Sequence, residues 1–121
     1  MGEKCNKRAV GSAYEKIVGE YLGRQNYQIL EYNFRCHIGE IDLIAKEGGY
    51  LVFIEVKYRD SEKRGNPLEA VTRKKQRIIS KVASYYCVTH GYGEETPCRF
   101  DVAAVLGEKI TVIKNAFEYQ G

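Results

Sequence analysis

Apolar residues at helical spacing mark the first element of the chain. They fall at i, i+4, i+5, i+8 and i+9 and predict a helix that Ser12 caps and that ends near Gly23. The stripe comprises Ala13, Ile17, Val18, Tyr21 and Leu22.

A second apolar stripe with helical spacing lies beyond the middle of the chain. It predicts a helix that begins at about Leu68 or Thr72 and ends at His90, with Gly91 and Gly93 after it to stop it. The stripe consists of Val71, Ile78, Ile79, Val82, Ala83 and Tyr86.

Five further segments are rich in the β-branched, aromatic and aliphatic residues that strands favour. They cover residues 27–34, 39–46, 50–58, 99–106 and 109–113. Gly48-Gly49 separates the second from the third segment and Gly107-Glu108 the fourth from the fifth, so each pair is predicted to form a hairpin. Residues 60–67 are polar and predict a loop. The predicted element order is therefore α-β-β-β-α-β-β.

Composition narrows the class of protein. The chain has 121 residues, 44% of them hydrophobic and 29% charged, which predicts one globular domain over residues 1–121, with residues 1–9 flexible. No apolar run approaches the about 18 residues of a membrane span, and the N-terminus lacks an apolar signal segment, so we expect a cytoplasmic protein without membrane contact. Four cysteines lack paired C-x-x-C spacing and are interpreted as reduced thiols: Cys5, Cys36, Cys87 and Cys98.

Positive charge is concentrated in one segment. Residues 57–81 carry nine basic and three acidic side chains, while the whole chain has 19 Lys and Arg against 16 Asp and Glu. A local basic field of this kind suits a polyanion such as nucleic acid, although a solvated helix face and loop would have the same composition. The residues expected to hold a phosphate backbone are Arg59, Lys63, Arg64, Arg73, Lys74 and Arg77.

Acidic residues interrupt the apolar strands of the central hairpin. A two-residue turn at Gly48-Gly49 pairs Glu47 with Tyr50, and the same register places Asp42 opposite Glu55. Period-two alternation then puts Glu40, Asp42, Glu55 and Lys57 on one face, together with Ile44 and Phe53. The opposite face is predicted to be apolar and to contain Ile41, Leu43, Ala45, Val52, Ile54 and Val56.

Two carboxylates in direct opposition repel each other and need a compensating charge. A Mg²⁺ or Mn²⁺ ion would supply it, because hard cations prefer carboxylate oxygens. The alternative is a solvated sheet surface on which Glu40 and Lys57 form a cross-strand ion pair and the Asp42–Glu55 contact is tolerated. A three-residue loop would slip the register by one and separate the two acids.

These residues also resemble a known family. Asp42, a gap of twelve residues and Glu55-Val56-Lys57 resemble the D…(D/E)-x-K signature of the PD-(D/E)xK nucleases. A longer pattern, from about residue 11 to residue 117, looks like the uncharacterised bacterial YraN family, which is similar to archaeal Holliday junction resolvases. It consists of Gly11-x3-Glu15, Asn33-Phe34-Arg35, Gly39-Glu40-Ile41-Asp42-Leu43-Ile44, Val52-Phe53-Ile54-Glu55-Val56-Lys57, Lys75-Gln76 and Asn115-Ala116-Phe117.

The resemblance implies a restriction-endonuclease-like α/β fold, with a mixed five-stranded sheet flanked by helices. It implies a metal-dependent endonuclease of structured, branched DNA that acts as a homodimer. Asp42, Glu55 and the carbonyl of Val56 would hold the metal, and Lys57 would orient the attacking water. Glu15 would add a helix carboxylate and Gln76 a polar group near the phosphate. The sequence departs from the superfamily pattern at Ile41, where a proline is usual.

Several of these residues have a second interpretation. Ser12-x-x-Glu15 is also a capping box, in which the Glu15 carboxylate would serve the backbone of its own helix. Glu40 is interpreted as an ion-pair partner of Lys57 in preference to a metal ligand, and Gln76 could be an ordinary exposed helix residue. Asp101 is predicted to be a structural acid. For the whole chain, the alternative is a catalytically inactive nucleic-acid-binding module of the same fold.

Overall fold

The elements follow the predicted order, with one short 3-10 helix added before the second α-helix. The computed structural model describes residues 2–59 and 67–121, with side chains described for residues 13–59 and 69–121. The predicted polar loop lies mostly in the gap and is outside the described residues. The elements are α1 (Gly2–Arg24), β1 (Gln28–Arg35), β2 (Glu40–Glu47), β3 (Tyr50–Arg59), the 3-10 helix Pro67–Ala70, α2 (Arg73–Thr89), β4 (Cys98–Leu106) and β5 (Lys109–Phe117).

One mixed sheet holds all five strands in the order β1-β2-β3-β4-β5. Neighbouring strands are antiparallel except β3 and β4, which are parallel from Leu51↔Cys98 to Arg59↔Leu106. A parallel pair needs a crossover connection, and α2 lies in the connection between β3 and β4. The chain therefore has the predicted α/β architecture of a mixed five-stranded sheet with two helices.

Each face of the sheet is covered by one helix. Val18 and Leu22 of α1 pack on a cluster that contains Val52 and Ile54 of β3. The other cluster joins α2 residues to the alternate positions of β3, among them Phe53. Because successive strand residues point to opposite faces, the two helices lie on opposite sides of β3. The central strand is thus buried from both sides.

The first helix is longer than predicted. It begins at Gly2, so Ser12 lies inside it, and the predicted N-cap at Ser12 and the capping box with Glu15 are both wrong. The apolar stripe begins only at residue 13, whereas the preceding residues are mostly polar and carry no such signal. Within the described residues, neither α-helix is both long and apolar enough to cross a membrane.

The second helix begins at the later of the two predicted positions. Thr72 is its N-cap, with the hydroxyl accepting a hydrogen bond from the backbone N–H of Lys75 at 3.2 Å. Leu68 lies in the 3-10 helix instead. The first turn of α2 therefore has a defined backbone geometry.

The last strand extends beyond the predicted end at residue 113. The β4–β5 register shifts between Phe100 and Val102, and Asn115 on the opposing strand adopts a φ of 54°. This irregularity interrupts the period-two pattern, which is why the sequence predicts an earlier end. The strand resumes and pairs Phe117 with Phe100.

Asp101, on β4, is a fully buried structural acid, as predicted. Its carboxylate accepts hydrogen bonds from the Tyr27 hydroxyl at 2.9 Å and from the Asn115 backbone N–H at 3.0 Å. Arg99 donates two further bonds of 2.9 Å each and also contacts Glu47 at 2.8 Å. The buried charge is therefore fully paired.

Three cysteines have described side chains, and all three carry free thiols: Cys36, Cys87 and Cys98. This agrees with the interpretation of the cysteines as reduced. Burial raises the pKa of Cys87 to about 12, with a smaller contribution from Cys98 beside it. The side chain of Cys5 lies outside the described residues.

The β2–β3 turn has the predicted two residues. Gly48 and Gly49 adopt φ angles of 57° and 85°, which is the left-handed region that a primed hairpin turn requires. The register runs from Glu47↔Tyr50 to Leu43↔Ile54, as the sequence predicts. This turn fixes which residues of β2 and β3 meet.

Gly49→Ala is expected to lower the free energy of unfolding by about 1–2 kcal/mol, because alanine is strained at a φ of 85°. Gly23→Ala is the matched control, since Gly23 lies in α1 with no atom within 4 Å of an added Cβ. There the same substitution should stabilise the protein by about 0.5–1 kcal/mol. Urea unfolding of both variants measures the two changes. A Gly49→Ala variant with an unchanged or higher free energy of unfolding would contradict the turn geometry.

Candidate functional site

The predicted acidic pair lies where the β2–β3 ladder ends. The last paired residues are Leu43 and Ile54, one position before Asp42 and Glu55. Asp42 Oδ2 then accepts a hydrogen bond of 2.8 Å from the backbone N–H of Val56. The Asp42 side chain thus holds the backbone of β3 directly beside Glu55.

Glu55 is 5% exposed and is contacted by two lysines. Lys57 Nζ lies 3.4 Å and Lys75 Nζ 3.5 Å from the same oxygen, Oε2. Lys57 comes from β3 itself, whereas Lys75 reaches Glu55 from the first turn of α2. The site therefore contains the three residues of the predicted signature and a second ammonium group.

Lys75 is a residue of the site for which the sequence predicts no role. Its position carries a signal, because Lys75 precedes the buried Ile79 by four residues and Val82 by seven. These intervals place it on the core-facing stripe of α2, where a lysine is unusual. A charged residue on a buried helical stripe therefore predicts a partner on the sheet below.

Asp42 has a strongly raised pKa, at about 8. Burial is the largest cause, and the nearby charge of Glu55 is the second, while the hydrogen bond from Val56 opposes both. Because the charge of Glu55 disfavours ionisation of Asp42, a proton on Asp42 relieves the repulsion. A cation beside the two carboxylates would relieve it as well.

Glu15 of α1 joins the same cluster of acids. Its pKa is raised, first by burial and next by the charge of Glu40, while an interaction with Asp42 lowers it. Glu15 therefore lies near the pair. The charges of Glu40 and Glu55 both disfavour ionisation of Glu15.

Among residues 13–59 and 69–121, no group of three or more His, Cys, Asp or Glu side chains is arranged to hold a metal ion. Mg²⁺ nevertheless binds through one or two carboxylates and keeps several waters, so a larger protein cage is not required. Asp42 and Glu55 fit this requirement because they are adjacent carboxylates that already repel each other. The candidate site therefore consists of two carboxylates that could hold one divalent cation.

Two predictions about the faces of the hairpin are wrong. Glu40 pairs with Arg35 at 3.0 Å, not with Lys57. Ile41 packs in the same cluster as Ile44 and Phe53 instead of on the opposite face. Both differences arise because the side chains of β2 stop alternating between the two faces of the sheet next to Asp42.

The neighbouring strand β1 accounts for this break. Tyr32 pairs with Leu43 and Phe34 with Ile41, and Asn33 between them has a φ of 55°. Tyr32 lies against Gly19 of α1, whereas Phe34 packs in the cluster on the α2 side. Both strands thus change faces at this point, and a regular two-residue period does not predict it.

None of the other predicted residues with described side chains pairs with the acids of the site. Gln76 Nε2 donates to the Val71 carbonyl at 2.9 Å and so anchors the start of α2. Arg73, Lys74 and Arg77 are exposed on α2, and Arg59 is half-buried at the end of β3. Two further predicted phosphate contacts are outside the described residues, namely Lys63 and Arg64.

The pKa of Asp42 predicts how stability depends on pH. Between its ordinary pKa of 3.8 and about 8, the folded protein holds a proton that the unfolded chain releases. The free energy of unfolding should therefore fall as pH rises through this range, by up to about 1.4 kcal/mol per pH unit from this group. Urea unfolding between these limits tests it, and Asp42→Asn should remove most of the slope. An unchanged slope in that variant would contradict the assignment.

The chain is similar to a group of bacterial proteins along nearly its whole length. A model described as uncharacterised protein family UPF0102 matches residues 14–105. A UPF0102 protein of Lachnoclostridium phytofermentans is 51% identical over 116 residues, which cover 96% of this chain and 98% of the relative. One from Caldanaerobacter subterraneus is 45% identical and covers 95% of this chain and 99% of its own length. One from Caldicellulosiruptor saccharolyticus is 45% identical over 93% of this chain and 99% of the relative.

Proposed function

The chain belongs to the uncharacterised protein family UPF0102, and we propose that it is a metal-dependent endonuclease of structured DNA with a restriction-endonuclease-like fold. The observation that carries the proposal is the hydrogen bond from the Val56 N–H to Asp42, which brings Asp42 beside the buried Glu55, with lysine ammonium groups next to Glu55. An arrangement that only stabilised the fold would not need two acids that repel each other. Such strain is typical of sites that bind a cation or a reacting group.

A divalent cation is the ligand that these oxygens suit best. Asp42 and Glu55 would hold Mg²⁺ or Mn²⁺, with the backbone carbonyl of Val56 as a further candidate ligand. When bound, such an ion polarises a phosphoryl oxygen and lowers the pKa of a coordinated water. Glu15 lies beside Asp42, where it would accept a hydrogen bond from a water molecule at the site.

The protein's own residues supply position and fixed charge. The bond from the Val56 N–H holds the Asp42 carboxylate in place, and the closed Gly48-Gly49 hairpin sets the register that brings Glu55 to it. Lys57 carries a fixed positive charge next to Glu55, where negative charge develops as a phosphodiester is attacked. A preorganised charge of this kind stabilises the transition state more than the substrate.

The basic residues of α2 support a nucleic-acid substrate. Arg73, Lys74 and Arg77 are exposed on the helix that also delivers Lys75 to the site. Lysine and arginine contacts with phosphates give affinity that does not depend on base sequence. Selection by the shape of the nucleic acid is therefore more consistent with this surface than selection by base sequence, and a homodimer would address two strands of a junction.

A catalytically inactive nucleic-acid-binding module is the second candidate. It is favoured by the two ammonium groups that already neutralise Glu55, since a carboxylate paired in this way needs no metal. This candidate predicts binding that is sensitive to salt, unaffected by chelator and not followed by cleavage.

The two candidates are separated by incubating the protein with labelled four-way junctions, flaps and linear duplexes. Reactions contain Mg²⁺, Mn²⁺ or EDTA and are resolved on denaturing gels. The nuclease proposal predicts cleavage of branched substrates with either metal and none with EDTA. Binding without cleavage under all conditions would instead support the inactive module.

A further inference from the structure

Two lysines share one oxygen of Glu55, although a single carboxylate needs only one counter-ion. The side chains of Lys57 and Lys75 are 23% and 37% exposed, against 6% for Glu55. Lys75 therefore borders the solvent side of the contact. A positive group that is partly open to solvent is the part of the site that an incoming anion meets first.

The position of Lys75 on its helix is unfavourable for the helix itself. Arg73, Lys74 and Lys75 occupy the first turn of α2, and this turn contains no acidic residue. The N-terminal end of a helix carries a partial positive charge and disfavours cations. Helix stability therefore does not explain these residues, whereas a negatively charged ligand would.

The Lys75 backbone is held in place while its ammonium group keeps limited exposure to solvent. Its N–H donates to the Thr72 hydroxyl at the N-cap, which fixes where the side chain starts. The ammonium group lies 3.5 Å from Glu55, which is beyond the usual range of a hydrogen bond. A divalent cation at Glu55 would compete for the same oxygen.

We propose that Lys75 is a phosphate-binding residue that leaves Glu55 for a non-bridging oxygen of the nucleic-acid backbone when a divalent cation occupies the two carboxylates. The inference rests on the proposed function and adds a group from α2 to the residues of the D…E-x-K pattern. Lys75 would then bind substrate, and Lys57 would remain next to Glu55. The alternative is that Lys75 serves only as a structural counter-ion.

The test compares Lys75→Met with Lys81→Met, which removes the same charge from an exposed position of the same helix. Binding of a fluorescein-labelled four-way junction is measured by fluorescence anisotropy in Ca²⁺ at several salt concentrations. We expect Lys75→Met to weaken binding about tenfold and to reduce the salt slope by about 1. Lys81→Met should stay within about twofold of the unchanged protein.

A second measurement tests whether Lys75 and a divalent cation compete for Glu55. Mn²⁺ titrated into the protein without DNA should bind more tightly to Lys75→Met, because a competing positive charge is gone, and should bind Lys81→Met as tightly as the unchanged protein. If Lys75 were only a structural counter-ion, Lys75→Met would lower the melting temperature and leave junction binding unchanged. Should Lys75→Met fail to fold, Lys75→Gln also removes the charge and should weaken junction binding about tenfold.

Two failures can be told apart. Absence of cleavage by the unchanged protein in Mg²⁺ and Mn²⁺ overturns the nuclease proposal, while the anisotropy comparison still decides the role of Lys75. Equal junction binding by Lys75→Met and Lys81→Met overturns the Lys75 inference even if the protein cleaves DNA. Absence of any junction binding by the unchanged protein also overturns the Lys75 inference.

Discussion

Asp42→Asn is expected to lower the rate of DNA cleavage at least about 100-fold, because it removes a charged oxygen from the proposed metal site. The same change should raise the free energy of unfolding at pH 8 by about 1 kcal/mol or more, since Asp42 has a pKa of about 8 and repels Glu55. The asparagine carbonyl can still accept the hydrogen bond from Val56. Loss of activity with a gain of stability would mark Asp42 as a functional residue.

Glu40→Gln is the matched control for this prediction. Glu40 is also an acid of β2, but it is exposed and pairs with Arg35. Surface pairs of this kind contribute about 0–1 kcal/mol, so cleavage and stability should change little. Cleavage is followed with branched DNA in Mg²⁺ and stability by urea unfolding. Equal losses of activity in both variants would contradict the assignment of the site to Asp42.

Asp101→Asn is expected to destabilise the fold by about 3–5 kcal/mol, the largest effect on stability that we predict. Asp101 is fully buried, and Arg99 directs two of its hydrogen bonds at this carboxylate. Loss of the negative charge leaves the guanidinium, whose side chain is 11% exposed, with Glu47 as its one remaining anionic partner among the described residues. Chemical denaturation at neutral pH gives the difference directly.

Glu47→Gln removes the other anionic partner of Arg99 and serves as the comparison. Glu47 is more exposed than Asp101, at 18% against 0%, and also contacts Lys114 at 3.4 Å. Its loss should therefore destabilise the protein by only about 1 kcal/mol. A cost for Asp101→Asn no larger than this would show that the buried pair is not essential to the sheet. Cleavage activity per folded molecule should be unchanged in Glu47→Gln.

The position of Asp42 beside Glu55 could be predicted because it depends on a turn between neighbouring segments of the chain. The Gly48-Gly49 turn admits few hairpin geometries, and these set the register from Glu47↔Tyr50 to Leu43↔Ile54. With the register known, the next positions bring Asp42 to Glu55. The order of elements along the chain followed from the periodicity, and the resemblance implied the mixed five-stranded sheet, whereas the order of the strands within the sheet was not predicted.

The parts that could not be predicted depend on contacts between distant segments. At Asn33, β1 and its partner β2 both change the face of the sheet to which their side chains point. Ile41 and Glu40 therefore do not lie where the two-residue period of their own strand predicts. Lys75 reaches Glu55 only because α2 packs across the sheet, and the nineteen intervening residues do not reveal this distance. The start of α1 was missed because its first residues have no apolar stripe.

The central claim is that Asp42 and Glu55 form a binding site for a divalent cation. Crystals of the protein soaked in Mn²⁺ and recorded near the manganese absorption edge give the most direct test, because the anomalous signal locates the ion without any substrate. We predict a peak between the Asp42 and Glu55 carboxylates that is absent from Asp42→Asn crystals. A peak elsewhere, with none between these two carboxylates, would contradict the claim.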